Sequence, residues 1–330
     1  MHIQIWHGNK QRVGHLGQAQ DDFNVLGDVS EDVVALWYVV GRGLPVPLMI
    51  GRSPLGCGDT RRLARTGHFN ADIPVMCLDL GENEIVITAQ DIEGNEISER
   101  VMVCREDGQT ALPVSIDWSQ VSDPQAVGQY VDGHWGIEGE GLRTLHTGYD
   151  RVFLIGDTTW QDYEVTVPIT IHHVDEETGP VSGGNGVGIL MRFCGHVMGG
   201  PMKFPPGQPK WGYQPFGAIA WLRWMGRSQK PPQQQFYKGG HNGMIDHGVY
   251  PIEEGHTYWM KVRCETLPYN DAGAGVTRYC FKIWTKCEPE PDAWAWEAVQ
   301  TCEHALRRGG VVLLAHHVDA TFGNVQINQV

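Results

Sequence analysis

The sequence predicts an all-β protein made of two successive β-sandwich units. Short apolar or alternating runs recur along the whole chain, each bounded by turn signals. Gly and Pro are abundant together, 42 and 19 residues, as many short strands joined by turns require. Only one stretch, 303–308, reads as briefly helical, too short to change the class. At 330 residues the chain is long enough for two domains, and 41% hydrophobic residues supply a sizeable core.

The first unit is expected over residues 1–112. Its strands are read at Ile3–Trp6, Phe23–Leu26, Val33–Val40, Pro47–Ile50, Val75–Leu80, Glu84–Ala89 and Glu96–Cys104. About seven strands in this length suit a sandwich. The polar run 105–110 marks the boundary. The second unit is expected over 113–330. Its strands are read at Leu112–Trp118, Trp135–Glu138, Leu142–Thr147, Gln161–His173, Gly186–Phe193, Phe216–Met225, Gln234–Tyr237, Thr257–Cys264, Thr277–Thr285, Trp296–Thr301 and within Gly310–Ile327.

Charge narrows the partners. A net charge of −14 argues against nucleic acids and anionic membranes, both polyanions, though a local basic groove could still take an anionic glycan. No run reaches the ~18 apolar residues of a spanning helix, so no membrane insertion is expected. The first residues, Met1 to His7, read as a strand and not as a classical signal peptide, which leaves the compartment open. The eight cysteines form no C-x-x-C pair, and several sit within apolar strands as small buried hydrophobes. No nucleotide, P-loop, G-x-S-x-G or H-E-x-x-H motif occurs, so no motif calls for a cofactor.

Two groups of motifs carry resemblances. Residues 82–97, with Ala89-Gln90-Asp91-Ile92-Glu93-Gly94-Asn95, resemble the last hairpin of bacterial immunoglobulin-like domains. Gly156-Asp157-Thr158-Thr159-Trp160-Gln161-Asp162-Tyr163, then Gly186-Val187-Gly188 with Arg192, then Tyr258-Trp259, then Glu288-Pro289 with Trp294, follow in the order found in concanavalin A-like (laminin-G-like) jelly rolls. That resemblance spans roughly 150–330. It implies a concave sheet that presents itself to a glycan, an oligo- or polysaccharide.

Period two along Phe216–Trp224 places Gly217, Ile219, Trp221 and Arg223 on one face. The other face, with Ala218, Ala220 and Leu222, is more uniformly apolar and suits the core. Trp221 and Arg223 are therefore expected in the groove, with Arg192 beside them. An indole stacks on the apolar face of a pyranose, and a guanidinium reads hydroxyls or a carboxylate. Core packing and a structural salt bridge are the alternatives.

Catalysis is left open. Residues 233–243 faintly resemble a strand of jelly-roll alginate lyases, which would make Tyr237, Lys238 and His241 the base and charge-neutralising groups. The paired-carboxylate motif E-x-D-x-x-E of a retaining glucanase is absent, although separate acids such as Asp162, Glu164, Asp246, Glu253 and Glu254 could pair across strands. The jelly-roll resemblance also implies a structural calcium, for which Asp319 and then Asp157 are the candidates. The adjacent pairs His172-His173 and His316-His317 are expected on opposite faces of their strands.

Carbohydrate recognition is the leading expectation. A polysaccharide hydrolase or lyase and a structural or adhesive protein are the alternatives. Two sheet-bearing units also leave homo-oligomerisation through edge strands open.

Overall fold

The computed structural model describes the chain except residues 18–20, 53–61, 180–183, 196–208, 210–214, 225–232, 239–242, 272 and 303–305. The side chains of 233–238, 243–247 and 302 also lie outside the described part. The all-β expectation holds. Among the described residues the regular structure is strands and short 3-10 turns.

The amino-terminal unit contains β1 (Ile3–Ile5), β2 (Lys10–Val13), β3 (Asp22–Val29), β4 (Val33–Val40), β5 (Val46–Pro47), β6 (His68–Pro74), β7 (Gly81–Asp91) and β8 (Glu96–Arg105). A three-stranded sheet, β1-β3-β6, faces a five-stranded sheet, β2-β8-β7-β4-β5. The β2–β8 pair is parallel. Alternation fills the space between the sheets. Phe23, Val25, Phe69, Ala71 and Ile73 meet Leu36, Ile85, Ile87, Val101 and Val103.

The expected strand Val75–Leu80 is corrected. Residues Val75–Cys77 form a 3-10 turn, and the strand is β6, just before it. Its alternate residues His68, Asn70 and Asp72 are polar yet buried, because this sheet is covered on its second face too. That polar half hid the strand from a hydrophobic pattern.

The carboxy-terminal unit begins at β9 (Val114–Ile116), after the non-strand residues 106–113. It continues through β10 (Gln129–Asp132), β11 (Trp135–Glu138), β12 (Gly141–Thr144), β13 (Arg151–Ile155), β14 (Tyr163–Val174), β15 (Asn185–Phe193), β16 (Ala218–Trp224), β17 (Gln233–Lys238) and β18 (Gly243–Val249). β19 (Thr257–Leu267), β20 (Gly275–Thr285), β21 (Trp296–Cys302), β22 (Gly310–His316), β23 (Val318–Phe322) and β24 (Val325–Gln329) complete it. A seven-stranded sheet, β10-β13-β22-β15-β16-β17-β18, packs on a larger sheet along β11-β12-β23-β14-β19-β20-β21, with β24 and β9 added beside β14. The described part of the brief helical expectation, residues 306–308, is not helical.

The principal core lies between these sheets. Val187, Ile189, Met191, Ala218, Ala220 and Leu222 face Val165, Val167, Met260, Val262, Phe281 and Ile283. The alternate residues of the seven-stranded sheet form a second apolar layer on its other face: Val131, Val152, Leu154, Leu190, Phe193, Phe216, Ile219, Trp221, Val312 and Leu314.

The two units share a buried seam. Leu26 of β3 belongs to the core of the carboxy-terminal unit. Arg62 is forked onto Asp72 at 2.9 and 3.0 Å and reaches Asp132 across the seam at 2.5 Å. Arg151 approaches Asp132 at 3.3 Å and donates to the Arg62 carbonyl at 2.8 Å. All four side chains are almost fully buried, so their charges compensate one another in place of water. Cys264 and Cys280 are buried thiols, as expected for small hydrophobes, and burial pushes the Cys280 thiol up to about 12. Among the described residues no helix is long and apolar enough to cross a membrane.

Candidate functional site

The face assigned to the groove is described most fully at β15 and β16. Period two holds on β16: Ala218, Ala220 and Leu222 enter the principal core, and Ile219 and Trp221 lie on the opposite face. That face is nonetheless filled at its centre. Leu190, Val312 and Leu314 are completely buried there.

Arg192 departs from the groove expectation. A bulge between Met191 and Phe193 breaks the alternation of β15, and Arg192 takes a φ of 54°. Its side chain turns inward and is 0% exposed, while Phe193 takes the outer face. The guanidinium donates to the Gln161 carbonyl, the hydroxyls of Thr277 (2.8 Å) and Thr266 (2.8 Å), the Leu306 carbonyl (2.7 Å) and Asp162 Oδ1 (3.1 Å). This arginine is an internal clamp, held by acceptors from several segments.

Trp221 reaches the expected face but is only 5% exposed. Gly186 and Gly188 of the paired strand leave the bed on which it lies. A Cβ at Gly186 would sit 2.6 Å from the indole, and one at Gly188 2.4 Å from the Trp221 Cβ. The Arg223 guanidinium lies over the indole, 4.6 Å from its centroid. The ring is thus packed between glycine and guanidinium, which corrects the expectation that it offers a stacking face. Trp221 and Arg223 do come together, at the end of the sheet that also carries His316.

His316 and His317 do not separate to opposite faces. His317 has a φ of 51° between β22 and β23, and the two rings touch edge to face at 4.7 Å. His316 Nδ1 meets Asp150 Oδ1 at 2.7 Å. His172 and His173 diverge: the former contacts Thr321 Oγ1 at 2.7 Å, the latter Glu254 at 3.2 Å.

The calcium candidates do not fit a metal. Both Asp319 oxygens accept from Arg143, at 2.9 and 2.7 Å. Asp157 accepts the backbone N–H of Thr159 (2.7 Å) and of Thr110 (3.2 Å), as a turn cap does. Among the described residues no group of three His, Cys, Asp or Glu could hold an ion. The side chains of Tyr237 and Lys238, and all of His241, lie outside the described residues.

A different surface is open. The outer face of the larger sheet carries a groove of about 320 Å³ lined by Pro168, Thr170, Thr257, Trp259 and Thr321. Glu140, Lys286 and Asn324 stand at its rim and are exposed. Trp259 is partly exposed and stacks side by side with the buried Trp284, at 6.3 Å and 16°. Thr170 and Thr257 share a hydroxyl hydrogen bond of 2.8 Å across β14 and β19. Next to the groove, Glu164 is held by Lys261 (2.9 Å) and Arg263 (2.5 Å), and Glu290 by Lys261 (2.8 Å) and Lys282 (2.7 Å). These carboxylates are neutralised by lysine and arginine, an arrangement that suits scaffolding better than acid–base exchange. Sequence reasoning placed Trp259 in a motif strand and did not single it out. The signal was its alternation: Tyr258, Met260 and Val262 point into the core, so Trp259 must point out.

No family model matches the chain, and no curated protein matches it. Among solved structures, the exoplasmic/lumenal domain of VIP36 in its Ca²⁺/Man3GlcNAc-bound form aligns with 65% of this chain and 87% of its own, at 11% identity and a TM-score of 0.38. A structure from work on endo-acting O-glycanases of human gut microbiota covers 66% of this chain and 98% of its own, at 10% identity and a TM-score of 0.39. A structure concerned with carbohydrate-binding modules of the β-sandwich superfamily covers 96% and 93%, at 11% identity and a TM-score of 0.17. All three lie below the similarity at which a shared ligand follows.

Proposed function

We propose that this protein recognises a carbohydrate, on a concanavalin A-like sandwich preceded by an immunoglobulin-like one. The parallel pairing of β2 with β8, and the three- and five-stranded division of the first unit, support the immunoglobulin-like assignment. The observation that carries the function is the Trp259 groove. A partly exposed indole forms one wall, and the hydroxyls of Thr170, Thr257 and Thr321 line the floor. The indole offers a flat apolar face to the C–H side of a pyranose, and the hydroxyls exchange hydrogen bonds with its OH groups. Its volume is at the small end of the roughly 300–1,000 Å³ of small-molecule sites. One acid, Glu140, and one base, Lys286, leave the groove without a strong charge, which favours a neutral sugar over a uronate. Recognition without bond cleavage is the role read here.

The test is a glycan array followed by calorimetry, comparing the wild type with Trp259→Ala. Loss of a stacking face is expected to weaken binding about tenfold, roughly 1.4 kcal/mol, in a variant that remains folded at the assay temperature. Equal affinity in the variant, or cleaved products from any bound glycan, would overturn the proposal.

A further inference from the structure

Four histidines meet at the seam between the two units. His7 and His68 come from the amino-terminal unit, and His134 and His146 from the carboxy-terminal one. Their rings are arranged around Trp6. The indole stacks on His134 (4.8 Å, 10°) and touches His68 (4.6 Å) and His146 (5.6 Å) edge-on. His68 stacks on His146 at 5.3 Å across the seam, and His146 meets His134 at 5.0 Å. His7 lies flat on Tyr130 at 3.5 Å. The Nδ1 atom of each of the four is buried without a hydrogen-bond partner among the described residues.

This arrangement accommodates neutral imidazoles and little else. On protonation each imidazole carries an N–H on both ring nitrogens, and the orphaned Nδ1 atoms have no acceptor in place. At His7 the new proton would also displace the Trp135 N–H that Nε2 accepts at 3.5 Å. The charged groups nearby give limited relief. Arg151 and Arg65 act against protonation of His68 and His146, and the histidines act against one another. Asp28 is the acid that favours protonation of His134 and His146, and it already accepts Trp6 Nε1 at 2.6 Å and contacts His2 at 3.5 Å. Asp72 and Asp132 are tied to Arg62 and Arg151.

We infer that the histidine seam is an acid-sensitive latch: protonation across the His68–His146 contact releases the amino-terminal sandwich from the carboxy-terminal one while both cores stay folded. Burial is the first cause that holds all four histidines low, His68 to about 3 and His146 to about 4. A histidine held low in the closed form supports closure above its free value, near 6.5. That support is lost as pH falls from there toward the closed value. The latch therefore weakens between about pH 6.5 and 4. At pH 5 each of His68 and His146 shifts the balance toward opening on the order of tenfold or more.

Hydrogen exchange read by mass spectrometry tests this on the full chain at pH 7.5 and 5.0, with exchange times scaled for the intrinsic pH dependence of the chemical step. Peptides around His7, His134 and His146 report the seam. Peptides from β7, β8, β19 and β20 report the two cores. The expected result is at least tenfold loss of seam protection at pH 5.0 with both cores protected. His68→Gln/His146→Gln is expected to lose much less seam protection at pH 5.0 than the wild type. His146→Gln alone is expected to lose roughly tenfold less seam protection between pH 7.5 and 5.0 than the wild type, and serves if the double variant does not dock. Seam protection unchanged at pH 5.0, a seam lost together with the cores, or a His146→Gln variant losing as much seam protection as the wild type would overturn the inference.

Discussion

The backbone N–H of Arg192 donates to the Tyr163 hydroxyl at 2.6 Å, and that hydroxyl donates to the Gly310 carbonyl at 3.1 Å. The bulged β15, the first residue of β14 and the first residue of β22 are thus joined inside the sandwich. The bonds explain how an arginine and a tyrosine can both be fully buried.

Removing the Arg192 side chain is expected to destabilise the protein strongly. Arg192→Ala leaves Asp162 without its arginine, abandons two buried or part-buried hydroxyls and two carbonyls, and opens a cavity. A loss of about 3–5 kcal/mol is expected in urea denaturation. A loss below about 1 kcal/mol would mean that the clamp is dispensable.

Gly188 is expected to tolerate no side chain. A Cβ there would lie 2.2 Å from the Ala220 carbonyl oxygen and 2.4 Å from Trp221 Cβ, so β15 and β16 would have to part. Gly188→Ala should cost about 1–3 kcal/mol and lower the melting temperature. A melting curve unchanged from the wild type would show that Trp221 does not lie on this bed.

Acid should weaken the carboxy-terminal unit through His317. Burial, followed by the charges of His316 and Arg151, holds its pKa at about 3, and its Nδ1 contacts Thr178 Oγ1 at 2.7 Å. Because the folded value lies below the free value, the stability this neutral ring allows is present above about pH 6.5 and falls as pH drops toward 3. Asn accepts the positive φ of this position and does not titrate. His317→Asn should therefore spare on the order of 2 kcal/mol of the loss between pH 6.5 and 4. Identical acid denaturation profiles would rule this contribution out.

Much of the strand pattern was legible because alternation is a local property. On β16, the spacing of Ala218, Ala220 and Leu222 against Ile219 and Trp221 assigned both faces correctly. It failed at Arg192 because one bulged residue reverses every later side chain, and a bulge leaves little trace in sequence. β6 was missed because its polar residues are buried against a partner unit that lies elsewhere in the chain. The run Val311-Val312-Leu313-Leu314-Ala315 did hold a readable signal. A strand without alternation is covered on both faces, so this face could not be an open groove at its centre.

The sequence by itself determined an all-β chain, the order of most strands, and the absence of nucleotide and phosphate motifs. These follow from residue spacing, turn chemistry and composition. Only the tertiary structure decided which side chains remain open. It buried Arg192 and closed Trp221 between glycine and guanidinium, left Trp259 on an accessible wall, and brought four histidines from distant segments around Trp6. Exposure and ring contact depend on which faces pack together, and that is fixed by pairings between residues far apart in the chain.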